Sequence, residues 1–269
     1  MMESLGMETG QEFVDSHQAG TAALAQHAHI DMTEHDACGV GLVASLDGKP
    51  RREVVQAGID ALKAVWHRGA VDADGKTGDG AGIHVEIPQD FFADAVQRGG
   101  DKLKPGRIAV GMAFLPKTDL GAQERCRQII ETEILAGGYL IYGWRQVPIN
   151  VECIGEKANA TRPEIEQILL WDPEQRDGAT VERDLFVIRR RIEKQAIAAQ
   201  IPELYLCSLS ARSLIYKGMF LAASLTEFYP DLLDARFVSR FAIYHQRYST
   251  NTFPTWRLAQ PFRMLAHNG

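Results

Sequence analysis

Cysteine is scarce and scattered: the four in 269 residues stand at Cys38, Cys126, Cys153 and Cys207. With no C-x-x-C pair and no histidine at ligand spacing, a structural zinc site and a disulfide framework are both excluded. Lys and Arg are missing from residues 1–37, which carry seven carboxylates (Glu3, Glu8, Glu12, Asp15, Asp31, Glu34, Asp36). The chain's acid excess, 35 acidic against 29 basic side chains, therefore lies in this leader. A segment with no basic n-region and no apolar run of about 7–15 residues is neither a secretory signal nor an Arg-rich transit peptide. No later stretch approaches the roughly 20 apolar residues of a membrane span, and a net charge of -6 argues against nucleic acid as main partner. The reading is of a cytoplasmic protein whose partners are small molecules or proteins. With 45% hydrophobic and 24% charged residues and no repeat or low-complexity segment, residues 38–269 read as one domain able to bury a core.

Strand and helix signals alternate through that domain. The apolar, part β-branched run 38–46, closed by Asp47-Gly48-Lys49-Pro50, predicts a strand, and Gly39 and Gly41 within it mark close approach of another group. Val55, Ile59, Leu62 and Trp66 share one helical face over 52–66. A glycine-rich loop at 72–82 then feeds an alternating strand at 83–87. Further expectations are helices at 89–97 and 119–136 and strands at 107–115 and 139–147. Pro163 stands as a first-turn proline ahead of a helix at 164–170. A helix at 184–199 carries Arg189, Arg190, Arg191 and Lys194 as a solvated face. Strands follow at 204–209, 213–218 and 236–246. The chain closes on Met264-Leu-Ala-His-Asn-Gly269, an apolar run ending in the strongest short turn signal with no return strand after it, from which a C-terminally incomplete piece of a longer protein is expected.

Cys38 is the first candidate for chemistry. A lone cysteine opening an apolar strand reads as a buried strand residue. The functional alternative is cleavage after Ala37, leaving the thiol on a new N-terminal residue whose α-amine, of reference pKa about 7.7–8.0, takes the thiol proton. One residue would then be nucleophile and base. Asn268 and Gly269 read either as a hairpin turn or as a side-chain amide and a backbone N–H for an oxyanion, each worth roughly 3–4 kcal/mol. Arg247 opens the polar stretch 247–256 and is either a surface arginine or a bidentate carboxylate ligand. Asp79-Gly-Ala-Gly82 is neither a Walker loop nor a dinucleotide fingerprint. His67, His84, His245 and His267 have no mutual metal spacing, so no metal site is expected.

Taken in order, Ala37-Cys38-Gly-Val-Gly-Leu42, Trp66-His-Arg-Gly69, Thr77-Gly-Asp-Gly-Ala-Gly-Ile83, Arg247-Tyr-Ser-Thr-Asn-Thr-Phe-Pro-Thr-Trp256 and Ala266-His-Asn-Gly269 resemble the class II glutamine amidotransferase domain that opens the glutamate synthase large subunits. The match runs over essentially the whole chain from residue 38, and it favours the functional readings of Cys38, Arg247, Asn268 and Gly269. The resemblance implies an α+β fold, a four-layer αββα sandwich of the N-terminal-nucleophile type, and a propeptide at 1–37. It implies Cys38 as nucleophile with its freed amine as base, Asn268 and Gly269 as oxyanion hole, and Arg247 and Thr250 against the glutamine substrate. Arg68 and Asp79 would shape the site, as a family motif interrupted here by an insert. The family aspartate for the glutamine amino group would lie beyond residue 269. The resemblance further implies ammonia transfer to 2-oxoglutarate in downstream synthase domains, with FMN, an iron–sulfur cluster and an NADPH-oxidising small subunit belonging to those other parts and no cofactor in this one. Two rivals stand beside this reading: another class II amidotransferase, feeding purine or amino-sugar synthesis, and an unprocessed, non-catalytic module.

Overall fold

The fold was obtained as a computed structural model, and it describes residues 39–247 and 252–263. Chain order is β1 (Gly39–Ala44), α1 (Arg52–Ala64), β2 (Thr77–Glu86), α2 (Gln89–Arg98), β3 (Ile108–Leu115), α3 (Leu120–Ala136), β4 (Leu140–Gln146), α4 (Glu156–Ala160), β5 (Glu164–Trp171), α5 (Gly178–Ala198), β6 (Tyr205–Ser210), β7 (Ser213–Phe220), α6 (Leu225–Phe228) and β8 (Phe241–Gln246). The strands form two four-stranded sheets, β1-β8-β2-β7 and β4-β5-β3-β6, antiparallel at every ladder. Helix α1 packs on β1 and β8, and α3 and α5 pack on each other, α3 also on β4 and α5 on β6. Two antiparallel sheets with helices against each are in keeping with the expected α+β sandwich.

Alternation explains why the second sheet is sandwiched. Along β3, Ile108, Val110, Met112 and Phe114 enter one core while Ala109, Ala113 and Leu115 enter another, as a period of two requires when both faces are covered. The second core is filled from the helix side by Cys126, Ile130 and Ile134 of α3 and by Leu185, Ile188 and Ile192 of α5. The first contains α1, α2 and an aromatic cluster in which Tyr216, Tyr229, Phe220, Phe228 and Trp256 meet largely edge to face, an arrangement the ring quadrupoles favour.

Four sequence expectations are corrected. Residues 164–170 are strand β5, not a helix after Pro163: Ile165 and Leu169 enter the first core and Ile168 and Leu170 the second, a two-faced burial that a short apolar run does not distinguish from helical burial. Strand β2 begins at Thr77, inside the predicted glycine-rich loop, because its ladder with β7 resumes after an irregularity between Thr77 and Ala81. Strand β8 begins only at Phe241, since the Ser239 hydroxyl accepts from the Phe241 N–H and from the Glu86 N–H at 2.9 Å, a local alternative to ladder pairing. Helix α5 also starts six residues early, capped by Asp177, whose side chain accepts from Ala179 N and Thr180 N.

Candidate active site

One end of the first sheet gathers the predicted site residues that lie among those described. Gly39 and Ala81 both pair with Gln246, the last residue of β8, so the start of β1 and the glycine-rich part of β2 flank it. Arg247 follows directly. Its backbone N–H donates to the Gly80 carbonyl at 2.7 Å, Nη1 donates to the Asp79 carbonyl at 3.3 Å, and Nη2 donates to Thr252 Oγ1 at 2.7 Å. The residue is 7% exposed. A guanidinium carries five N–H donors, so bracing by two bonds is compatible with a bidentate grip on a carboxylate.

Arg68 comes to the same place from the turn after α1. A Cβ placed on Gly39 would stand 3.2 Å from Arg68 Cβ and 2.9 Å from Val65 Cγ2, which is the close approach that the glycines of β1 signal. Arg68, Asp79 and Arg247 are thus brought together, with Asp79 contributing its backbone carbonyl to the arginine. Cys38, Thr250, Asn268 and Gly269 lie outside the described residues.

Sequence reasoning passed over Gln246. Buried at 1% exposure, its side chain accepts from Ala222 N at 2.9 Å and donates toward the Gly80 and Arg247 carbonyls at 3.5 and 3.4 Å. It ties Ala222 to Gly80, whose carbonyl accepts the Arg247 N–H, and to the carbonyl of Arg247 itself. The signal available was a polar side chain closing an apolar strand, next to an arginine already under suspicion.

Electrostatics separates the described cysteines from a nucleophile's role. Burial pushes the Cys126 thiol up to about 11 and the Cys207 thiol up to about 12, and raises Cys153 as well. Thiols so shifted hold little thiolate at neutral pH. Among the described residues no three His, Cys, Asp or Glu side chains are grouped as metal ligands, and Cys126 and Cys207 sit in separate cores, so these residues do not fit an iron–sulfur cluster. No helix among them is long and apolar enough to cross a membrane.

With its paired antiparallel sheets and an arginine held at the end of the strand beside β1, the chain belongs to the class-II glutamine amidotransferases, whose family model matches residues 38–269. It is similar to the glutamate synthase [NADPH] large chain of Azospirillum brasilense, at 66% identity over 98% of this chain and 17% of that protein. It is similar also to the ferredoxin-dependent glutamate synthase, chloroplastic, of Spinacia oleracea, at 42% identity over 88% of this chain and 15% of that protein. A third relative, the glutamate synthase [NADPH] large chain of Bacillus subtilis, is 39% identical over 91% of this chain and 16% of its own. The chain spans about a sixth of the length of these relatives.

Proposed function

We propose that this chain is the glutamine-hydrolysing domain of a glutamate synthase large chain, releasing ammonia from L-glutamine for reductive transfer to 2-oxoglutarate in downstream domains. The observation that carries the reading is the braced arginine at the end of β8, flanked by the strand that leads back to Cys38. A guanidinium held by a carbonyl, a hydroxyl and its own backbone bond is preorganised for a fixed carboxylate, and glutamine presents one.

In this proposal residues 1–37 are a propeptide, and its removal frees the α-amine of Cys38. That amine takes the thiol proton and the thiolate adds to the glutamine side-chain carbonyl carbon. Asn268 and Gly269 donate to the oxyanion. Collapse of the tetrahedral adduct breaks the C–N bond, the amine returns its proton to the departing nitrogen, and ammonia leaves a γ-glutamyl thioester. Water then adds to the thioester, giving glutamate and the regenerated thiol. Arg247 and Thr250 hold the substrate, while Arg68 and Asp79 shape its surroundings.

FMN and an iron–sulfur cluster are assigned to the parts of the longer protein outside this chain, and no step here runs through them. NADPH as electron donor, by way of an oxidising small subunit, is supported by the Azospirillum likeness alone, since the Bacillus NADPH protein is no more similar than the spinach ferredoxin-dependent one. A cytoplasmic location belongs to the same proposal and rests on the leader's lack of a basic n-region.

The test is Cys38→Ala in the full-length enzyme, read together with N-terminal sequencing of the parent chain. Glutamine-dependent glutamate formation is expected to vanish while ammonia-dependent formation persists, and the parent is expected to begin at Cys38. Retained glutamine use by the variant would sink the mechanism.

A further inference from the structure

Resting on the reading of Arg247 as ligand of the glutamine α-carboxylate, we propose that Trp256 is a positioning residue for that arginine, acting through helix α4. The contacts form a closed circuit. Arg247 Nη2 donates to Thr252 Oγ1 at 2.7 Å, and four residues on from Thr252 stands Trp256, 4% exposed. Its indole Nε1–H donates to the Ala158 carbonyl of α4 at 3.0 Å. The N–H of the same Ala158 donates to Thr77 Oγ1 at 3.2 Å. Two residues beyond Thr77, the Asp79 carbonyl accepts from Arg247 Nη1 at 3.3 Å, which returns the circuit to the guanidinium.

Each joint is stiff for a stated reason. The indole is wedged by three rings, Phe114 at 6.1 Å, Phe220 at 6.3 Å and Phe228 at 5.6 Å between centroids. Thr77 is held by Asp74, to which its hydroxyl donates at 2.6 Å and its backbone N–H at 2.7 Å. Asp74 is thereby kept near pKa 2 by its bonds to Thr77 and Lys76, so at neutral pH it is an acceptor. Gly155, just before α4, lets the helix approach: a Cβ there would stand 2.1 Å from Asp74 Oδ2 and 2.3 Å from Thr77 Oγ1. Beside Trp256, the Arg257 carbonyl accepts from the buried Lys217 ammonium at 3.0 Å. The segment 150–162 therefore does more than fill space: through one residue, Ala158, it sets the separation of the two segments that clamp the guanidinium.

The distinguishing consequence is kinetic. Loosening a group that binds the non-reacting end of the substrate weakens ground state and transition state alike, so KM moves and kcat does not. Trp256→Phe keeps an aromatic ring and removes the donor together with the second ring of the indole, whereas Thr77→Val removes the hydroxyl at nearly constant volume. In the full-length enzyme Trp256→Phe is expected to raise KM for glutamine about 2- to 10-fold, the range for one buried hydrogen bond, with kcat changed less than about twofold. Thr77→Val, which breaks the circuit at the other side of α4, is expected to do the same, and KM for ammonia stays put in both. Combined with Arg247→Lys, Trp256→Phe is expected to add nothing. An unchanged KM in both Trp256→Phe and Thr77→Val, a fall in kcat alone, or a full additive effect on top of Arg247→Lys overturns the proposal while the carboxylate reading stands. If Arg247→Lys itself leaves KM for glutamine unchanged, that reading falls and takes the proposal with it.

Discussion

Gly69→Ala tests whether the site is built on side-chain-free contact. Gly69 has φ -104° and ψ 148°, a conformation open to any residue, so its need for glycine is one of space alone. A methyl there would sit 2.2 Å from Gln246 Nε2 and 2.7 Å from its Cδ. The amide is the far end of a flexible side chain, yet it cannot swing away cheaply, because it is 1% exposed and satisfies the Ala222 N–H at 2.9 Å. Stranding that donor costs about 1–3 kcal/mol, and overpacking a filled site costs about 1–3 kcal/mol, so the expected loss of stability is about 2–6 kcal/mol. Chemical denaturation of Gly69→Ala, Gln246→Ala and the double variant measures it. The double variant, with the obstructing amide gone, is expected to recover about 1–3 kcal/mol of the summed single losses. A single Gly69→Ala variant within about 0.5 kcal/mol of the parent would refute the claim that Gln246 is held in place.

Two further expectations concern stability. His84 is 6% exposed with neither ring nitrogen hydrogen-bonded, and burial, aided by the Arg263 charge, lowers its pKa from 6.5 to about 4. The unfolded chain therefore binds a proton that the folded one refuses, and stability falls as pH drops from about 6.5 towards 4, by up to about 3 kcal/mol; His84→Leu is expected to flatten this slope in denaturation measured across that range, and an unchanged slope would contradict it. Asp231 accepts from Arg145 at 2.6 and 2.7 Å and from the Tyr216 hydroxyl at 2.8 Å, so Asp231→Ala leaves a largely buried guanidinium unpaired and is expected to cost about 3–5 kcal/mol in denaturation free energy, a parent-like value counting against the network.

Much of the fold was legible because its strands are short runs between strong turn signals. Strands β3, β6 and β7 fall within two residues of their expected ends, and α1 ends at Ala64, two residues short of the expected 66. What failed was local reading where tertiary contact decides. β5 looks helical to a period search because its two faces meet two different cores, and the extension of β2 to Thr77 depends on Asp74 and α4 holding that residue. In the site, Arg68, Asp79 and Arg247 were recognisable as motif positions, and the structure draws them to one sheet end. Gln246 and the link from Trp256 to Ala158 were not, since the partners lie 24 and 98 residues away in sequence and no spacing rule spans such gaps.

The glycines make the same point from the other side. Gly39, Gly69, Gly80 and Gly82 look like punctuation in the sequence, but an added Cβ at each would strike a neighbour: Arg68 and Val65 at Gly39, Gln246 at Gly69, and the adjacent Ala259 and Gln260 carbonyl at Gly80 and Gly82. Only Gly80, at φ +128°, is also required by its backbone conformation. The turn after α1, Gln246 itself and the 259–260 segment thus crowd the end of β8 where side chains are missing. The same packing answers why Asp79-Gly-Ala-Gly82 is no phosphate cradle. Such a cradle needs several backbone N–H groups turned toward an anion, whereas here Ala81 and Gly82 are paired with strands on both sides, to Gly218 and Lys217 on β7 and to Gln246 and His245 on β8, and the Gly80 carbonyl accepts the Arg247 N–H. The glycine run is committed to holding an arginine, and in the proposed function the anion at this end of the sheet is the carboxylate assigned to that guanidinium.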